Sequence, residues 1–595
     1  YMPLVIVAQD KKSSSPGCSV AQLKAQGRSV ATQQPPRETR PFAAPSLTHS
    51  RRVEICVADD TACAHRKTRA CAARQLQPCM RRNNSSSNKL AAAEQGLPKK
   101  KMPKPQPWLV LLSQRRVALA GALVAFAVLY ALSRQDEAKD NEEIPCDVLS
   151  NPRWAPRLPS LVELSLRNCG LTELPAAIGQ CTSLKKLDLG GNDLTDLPSS
   201  LAKCTRLEIL FVLGSRRMTS VPKVLAQMTS LTRLGLKSNG LTKLHGDALP
   251  PHLIHAIFTD NKIDAIDEEA WRKFSSIRKL MLANNRLTSF DGGANPSKNL
   301  ASLELVRLAN NDLQSLPDEV LRAPRLAWVA LAGNPRLVGF GQLASTLETT
   351  MARIDFSEAV ALGKGASGSV RSASYRGTPC AVKELLETSS DGAARDELAV
   401  HERVAGETPS TLIKTLAIIR EPPAVVMERL TKNARDLARP PTIIEVTRDR
   451  YEDGERYSSA FSITLLKGLA KALRYLHSKR VAHGDVYGHN TLVLDSTGAA
   501  KLGDFGASFY YGELAPSSQK LIERVEVRAF GVLCAEVATR IVGAAATRDR
   551  LLAVADDCLQ GDAAARPSFE RLVAALGNVN LSYQVLMRRG GSDFL

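Results

Sequence analysis

No two cysteines of this 595-residue chain stand at zinc-site spacing: five of the twelve (Cys18, Cys56, Cys63, Cys71, Cys79) lie in the first hundred residues and the rest are scattered. This excludes a CxxC zinc module, argues against a disulfide framework and favours a reducing compartment. Cys181 and Cys204, each three residues before a repeat leucine (Leu184, Leu207), read as buried small-residue packing. Acidic residues are scarce at one end. Residues 1–116 hold 21 Lys and Arg against 6 Asp and Glu, so 15 of the +19 formal charges sit there and the other 479 residues carry only +4. A polyanion partner needs basic charge on a folded face, and none is left over, so no nucleic-acid partner is expected. Long apolar runs are also scarce. The uncharged stretch 117–133, VALAGALVAFAVLYALS, has 17 residues between Arg115-Arg116 and Arg134. As a helix it would reach about 25 Å, against a hydrocarbon core of ~30 Å. It is a candidate membrane helix, with a buried helix or part of a targeting sequence as alternatives.

The length is too great for one core and predicts several units. Residues 1–116 are rich in Ser, Gln, Arg, Pro and Lys and read as a basic disordered or targeting region; an acid-poor, Arg- and Ser-containing N-terminus suits an organellar transit peptide as well as a solvated tail. Residues 134–158 read as a linker and N-terminal cap, and 578–595 as a C-terminal tail.

Within 159–340 a pattern LxxLxLxxNxL recurs eight times, led by Leu161, Leu184, Leu207, Leu231, Leu253, Ile277, Leu303 and Leu326 at steps of 22 to 26 residues. The ninth place holds Cys169, Asn192, Asn239, Asn261, Asn285, Asn311 and Asn334, with Ser215 in the third repeat. This period resembles the leucine-rich-repeat family, which implies an α/β solenoid in which each unit supplies one short strand and stacking buries a shared core. Leu-Pro pairs such as Leu174-Pro175 occur in place of the Gly-x-Ile-Pro of plant receptor ectodomains. The middle outward position of each strand runs Ser165, Asp188, Phe211, Gly235, Ile257, Met281, Arg307, Ala330, and Ile209, Leu213 and Trp328 also fall on outward positions. An apolar patch within a polar rim suits a protein partner on the concave face, with Phe211, Ile257 and Met281 as its contacts. The alternative is that the third repeat is out of register and turns its apolar residues inward.

From 352 to 577 five motifs follow in order. Gly363, Gly365, Gly368 and Val370 form GxGxxGxV, in which glycines let a hairpin lie close over phosphates. Ala381 and Lys383 lie in Cys380-Ala381-Val382-Lys383. Glu397, with Glu402 as the alternative, stands on the following helix. His483-Gly484-Asp485-Val486-Tyr487-Gly488-His489-Asn490 fits HxDxxxxN, and Asp504-Phe505-Gly506 closes the series. Together they resemble the protein-kinase family. The resemblance implies that Lys383 pairs the α/β-phosphates of ATP and is oriented by Glu397. It further implies that Asp485 receives or orients the acceptor hydroxyl, that Asn490 and Asp504 hold Mg²⁺, and that Met427, Glu428 and Leu430 line the adenine hinge. Arg566-Pro567-Ser568-Phe569 and Glu526-Val527-Arg528-Ala529-Phe530-Gly531 are similar to the tyrosine-kinase-like branch.

Departures from the pattern bear on substrate handling. Gly484 replaces the usual arginine, Tyr487 replaces the lysine of Ser/Thr kinases, and no Ala-Pro-Glu follows a segment of only 21 residues between Asp504 and Glu526. Glu523 is a candidate partner for Arg566 in place of that anchor. Without the arginine, activity is expected not to depend on phosphorylation of Ser508, Tyr510, Tyr511, Ser517 or Ser518. The expected architecture is multidomain, a leucine-rich-repeat solenoid followed by a bilobal α+β kinase domain. The expected function is an ATP- and Mg²⁺-dependent protein kinase, Ser/Thr by default, acting on a protein substrate in intracellular signalling; the alternative is a pseudokinase scaffold. Basic charge before 117–133 and acidic charge after it would place the C-terminal part outside. ATP and reduced cysteines place it facing the cytoplasm, which is the reading adopted.

Overall fold

A computed structural model of the protein describes residues 144–335, 337, 347–365 and 367–577. The basic region 1–116, the candidate membrane stretch 117–133 and the tail 578–595 lie outside the described residues. Among the described residues no helix is long and apolar enough to cross a membrane.

Eight three-residue strands form one parallel sheet in chain order: β1 Glu163–Ser165, β2 Lys186–Asp188, β3 Ile209–Phe211, β4 Arg233–Gly235, β5 His255–Ile257, β6 Lys279–Met281, β7 Leu305–Arg307 and β8 Trp328–Ala330. The central residue of each points inward because side chains alternate along a strand. Leu187, Leu210, Leu280 and Val306 are fully buried, and each such side chain contributes about 1.5–3 kcal/mol of burial. The polar ladder closes the turns. Asn192 donates to the carbonyls of Leu166 and Leu189 at 2.8 Å each and accepts from the amides of Cys169 and Leu171. Ser215 fits the same ladder with a shorter arm, donating to the Asn192 carbonyl at 3.1 Å while its amide reaches Asn239. The third repeat is therefore in register, with Leu210 inward and Phe211 beside Asp188 and Gly235.

One expectation about cysteine is overturned. Cys146 and Cys169 form a disulfide that ties the N-terminal cap to the first repeat. Their separation of 23 residues equals one repeat period, which brings the cap cysteine beside the ladder position one turn later. The other described cysteines, Cys181, Cys204, Cys380, Cys534 and Cys558, are free and buried.

The following lobe is an antiparallel sheet of β9 Ile354–Asp355, β10 Ala361–Lys364, β11 Gly368–Tyr375, β12 Thr378–Leu385, β13 Thr415–Ile419 and β14 Ala424–Glu428. Its order is β9-β11-β12-β14-β13, with β10 folded onto β11, and helix α1 Ala394–Val404 packs against it. A helical lobe follows, built on α2 Ser459–Ser478, α3 Pro516–Ala538, α4 Ala545–Cys558 and α5 Phe569–Gly577. Ser458 caps α2 by accepting from the Phe461 amide at 3.1 Å.

The array and the helical lobe share a core. Leu305, Ala327 and Trp328 belong to the apolar cluster of Leu469 and Phe530, while Phe509, Tyr511 and Ile522 join the cluster of the array. The concave face is thus covered over its C-terminal half. Met281, expected on an open partner surface, is 6% exposed, and Trp328 is 1% exposed; Phe211 and Ile257 remain half-buried. Periodicity gives the outward column but carries no information about what lies on it.

Candidate active site

The glycine hairpin is set by steric need. A Cβ on Gly368 would lie 2.0 Å from the Glu384 carbonyl of β12, so only glycine lets β11 begin there. The turn closes with the Gly365 amide donating to the Gly368 carbonyl at 2.8 Å. Gly363 is paired with Val370 across the hairpin. Beneath it Val370 and Ala381, both fully buried, join Met427, Leu430 and Leu492 in one apolar cluster, a slot suited to a flat heterocycle. Glu428, next to Met427, fixes the edge of β14 by accepting from the Lys501 ammonium at 2.5 Å.

Behind the slot Lys383 Nζ lies 2.6 Å from Glu397 Oε1 and 2.8 Å from Asp504 Oδ1. Of the two candidate glutamates, Glu397 reaches the lysine, because it lies on the inner face of α1. Glu402, five residues on, turns outward to Arg420 at 2.7 Å. Burial alone would discharge Lys383, but Asp504 and Glu397 outweigh it and hold its pKa above the usual value. Burial also opposes ionisation of Asp504, yet Lys383 and the Gly506 amide bring its pKa down to about 2. Glu397 is raised, by burial first. Asp504 takes a left-handed backbone with φ of 59°, which turns its side chain toward the lysine. Phe505 packs edge-on against His401 at 5.0 Å and tilts against His483. Burial and then Lys383 push His401 down to about 3, leaving it a neutral wall.

In the catalytic loop Asn490 Nδ2 donates to Asp485 Oδ2 and to the Asp485 carbonyl, both at 2.9 Å. Burial tends to raise Asp485, but Arg307 and then His489 keep it below the usual carboxylate range. Two anchors hold this loop: Glu526, which heads one of the motifs, and Asp449, which none of them includes. Glu526 accepts from the Gly484 amide at 2.8 Å and pairs with His477 at 2.7 Å. Asp449 accepts from the Gly488 amide at 2.7 Å and from His489 Nδ1 at 2.6 Å. Arg307, which the sequence offers only as a member of the outward column, also belongs to the site, its Nη2 pairing with Asp485 Oδ1. Its place in the outward column, an arginine after Phe211, Ile257 and Met281, was the available signal. Glu523 does not meet Arg566: it binds Tyr511 and Arg480, while Arg566 spends its donors on the carbonyls of Gln560, Arg524 and Pro324.

The donor set fits both a metal ion and a nucleotide. Asp504 is an anionic carboxylate and Asn490 offers an amide oxygen, the hard oxygen ligands that Mg²⁺ takes alongside phosphates. Lys383 would supply a fixed cation for the phosphates, and the apolar residues Val370, Ala381, Met427 and Leu430 would face a base.

Comparison with known proteins agrees with this geometry. The family model of the protein kinase domain matches residues 356–520, and that of leucine-rich repeats matches 159–199. The chain carries leucine-rich repeats followed by a protein kinase domain. Among its relatives is a probable inactive leucine-rich repeat receptor kinase of Oryza sativa subsp. japonica, 28% identical over 29% of this chain and 15% of its own. A putative ribosomal protein S6 kinase alpha-2 of Caenorhabditis elegans is 31% identical over 30% of this chain and 21% of its own. The serine/threonine-protein kinase VIK of Arabidopsis thaliana is 28% identical over 27% and 36%. The chain therefore spans well under half the length of these relatives.

Proposed function

We propose that this protein is an ATP- and Mg²⁺-dependent protein kinase acting on Ser or Thr hydroxyls of protein substrates in intracellular signalling. The observation that carries the reading is the Lys383 ammonium held between Glu397 and Asp504 at 2.6 and 2.8 Å. Phosphoryl transfer depends on positioning and charge neutralisation more than on covalent catalysis. Bound Mg²⁺ would supply the Lewis acid that neutralises the phosphate oxygens, with Asp504 and Asn490 as its protein ligands. Lys383 would orient the phosphates, Val370 and Ala381 would enclose the base with Met427, and the backbone of Glu428 and Leu430 would meet its edge. Asp485, an anion at neutral pH, would receive the acceptor proton. The Ser/Thr preference follows the names of relatives such as the Arabidopsis kinase.

Two features favour a second reading, a pseudokinase scaffold that binds nucleotide without transfer: glycine stands beside Asp485, and Asp485 is already paired with Arg307. A protein partner on the array would use the half-buried Phe211 and Ile257 rather than the buried Met281. Cytoplasm-facing placement rests on the need for ATP alone, since the Cys146–Cys169 disulfide removes the argument from reduced cysteines. Membrane anchoring would depend on 117–133. The test is transfer of radiolabelled phosphate from ATP to a generic protein substrate by the full chain and by Asp504→Asn. Loss of transfer in the variant supports the reading, and equal transfer by both overturns the metal-site assignment.

A further inference from the structure

The outward column of the concave face changes character at its seventh place. Apolar or small residues fill it on β3 to β6, and then comes Arg307, only 5% exposed. A buried guanidinium is costly to a repeat array unless it is paired, and every side-chain partner of Arg307 belongs to the kinase domain. Nη2 pairs with Asp485, Nη1 donates to the Gly484 carbonyl at 3.1 Å, and Nε pairs with Asp391 at 3.2 Å. On β8 the Trp328 ring lies flat on Tyr487, with centroids 4.4 Å apart and planes 4° from parallel, and its Nε1 donates to the Val486 carbonyl at 3.0 Å. Four successive residues, 484 to 487, are gripped by two adjacent strands of the array.

The kinase domain is shaped for this grip. Gly484 has φ of +74°, and a Cβ there would lie 2.9 Å from the Val329 carbonyl of β8 and 2.4 Å from that of Ala507. A side chain at this position would hold the array away. The loop before α2 is braced as well: Arg233 donates to the carbonyls of Ile443 and Ile444, and Glu304 binds Thr447 and Arg448.

An acceptor hydroxyl has to come within about 3 Å of the carboxylate that takes its proton. One oxygen of Asp485 is held by Arg307 and the other by Asn490. The β8 backbone and Trp328 lie directly against residues 484–487 beside that carboxylate. We infer that the repeat array closes the acceptor side of its own kinase site, with Arg307 as the plug on Asp485, and that transfer to a protein requires the array to withdraw from residues 484–487. The inference rests on the kinase reading and assigns the regulation of that site to the concave face.

The test uses the full chain, Arg307→Met and Arg307→Met/Trp328→Ala. Three quantities are measured: binding of a fluorescent ATP analogue with Mg²⁺, phosphate transfer to a generic peptide, and hydrogen exchange of the peptides covering 443–449 and 484–487. The expected result is nucleotide affinity within twofold of wild type, faster exchange in both peptides, and transfer at least tenfold faster in the double variant. Rapid transfer by wild type with no gain in either variant overturns the inference and leaves the kinase reading standing. Unchanged exchange in both variants overturns the plug, because the contact is then not held by these residues. Faster exchange with nucleotide bound and no transfer by any of the three proteins overturns the kinase reading, and the inference with it.

Discussion

The amide of Gly484 and the imidazole of His477 share one carboxylate, that of Glu526, at 2.8 and 2.7 Å. The contact ties α3 to the catalytic loop at the residue preceding Asp485, and Glu526 is 2% exposed. Glu526→Ala leaves a buried N–H and an imidazole without an acceptor, which costs about 2–4 kcal/mol. Glu526→Gln keeps an acceptor for the amide and should lose less than half as much. Chemical denaturation of the two variants checks this, and equal losses would place the role of Glu526 elsewhere.

Restoring a side chain beside Asp485 should separate the domains. Gly484→Ala adds a Cβ against two carbonyls at a left-handed backbone, a strain of ~1–3 kcal/mol. The expected outcome is a lower melting temperature together with faster hydrogen exchange in the array strands β7 and β8. A variant as stable as wild type would show that the array and loop sit further apart than described.

Cys146 and Cys169 close a loop of 23 residues. Loop-closure entropy assigns such a link about 3 kcal/mol. Cys169→Ser should lower the denaturation midpoint of the array, and a thiol reductant should lower that of wild type by the same amount while leaving the variant unmoved. A wild type indifferent to reductant would restore the expectation of an all-reduced chain.

Burial, and then Asp449, push Glu536 up to about 8 from its unfolded value of 4.5. Between these values the folded protein holds a proton that the unfolded chain releases. The stability it contributes is complete below pH 4.5 and is lost as pH rises toward 8, at up to ~1.4 kcal/mol per pH unit. Glu536→Gln removes this term, so the difference in melting temperature between variant and wild type should grow from pH 5 to pH 8. A constant difference would mean that the carboxylate is solvated in the folded protein.

We propose one exception to the expected independence from phosphorylation after Asp504, namely Ser518, which lies at the domain contact. Ser508 and Tyr511 are buried and bonded to the carbonyls of His483 and His477, so they offer no accessible hydroxyl. Ser518 donates to Asp318 of the array at 2.7 Å. Ser518→Glu sets a second carboxylate beside the first and should raise hydrogen exchange across 516–522 and the array helix Asp318–Leu321. No change in exchange would remove Ser518 as a point of control.

What could be read in the sequence was what depends on local spacing. The eight leucine positions specify the sheet because one period carries both the strand and its inward residue. The order Gly363, Lys383, Asp485, Asn490, Asp504 identifies a cleft because each motif brings its own backbone geometry. The Glu397 and Glu402 alternatives were settled by helix phase, which sequence leaves uncertain by a residue or two at the helix start. Arg307 and Asp485 are 178 residues apart and belong to different domains, so no periodicity connects them. Their meeting depends on the angle at which the array returns over the helical lobe. Met281 is likewise buried, although the repeat pattern alone leaves it open to solvent.

Strands of the array are about 4.8 Å apart, and among the described residues the hydrogen bonds and ring contact from the array to 484–487 come from Arg307 on β7 and Trp328 on β8. Repeats before them are distant from the catalytic loop along the solenoid, so duplication or loss of one of the first repeats would leave Arg307 where it is. Insertion of a whole repeat between β8 and the kinase domain would carry the guanidinium off Asp485 by at least one strand. The two ends of the array therefore tolerate change differently: a change of length at its beginning leaves the contact with the kinase domain in place, and one at its end alters the distance that the contact requires.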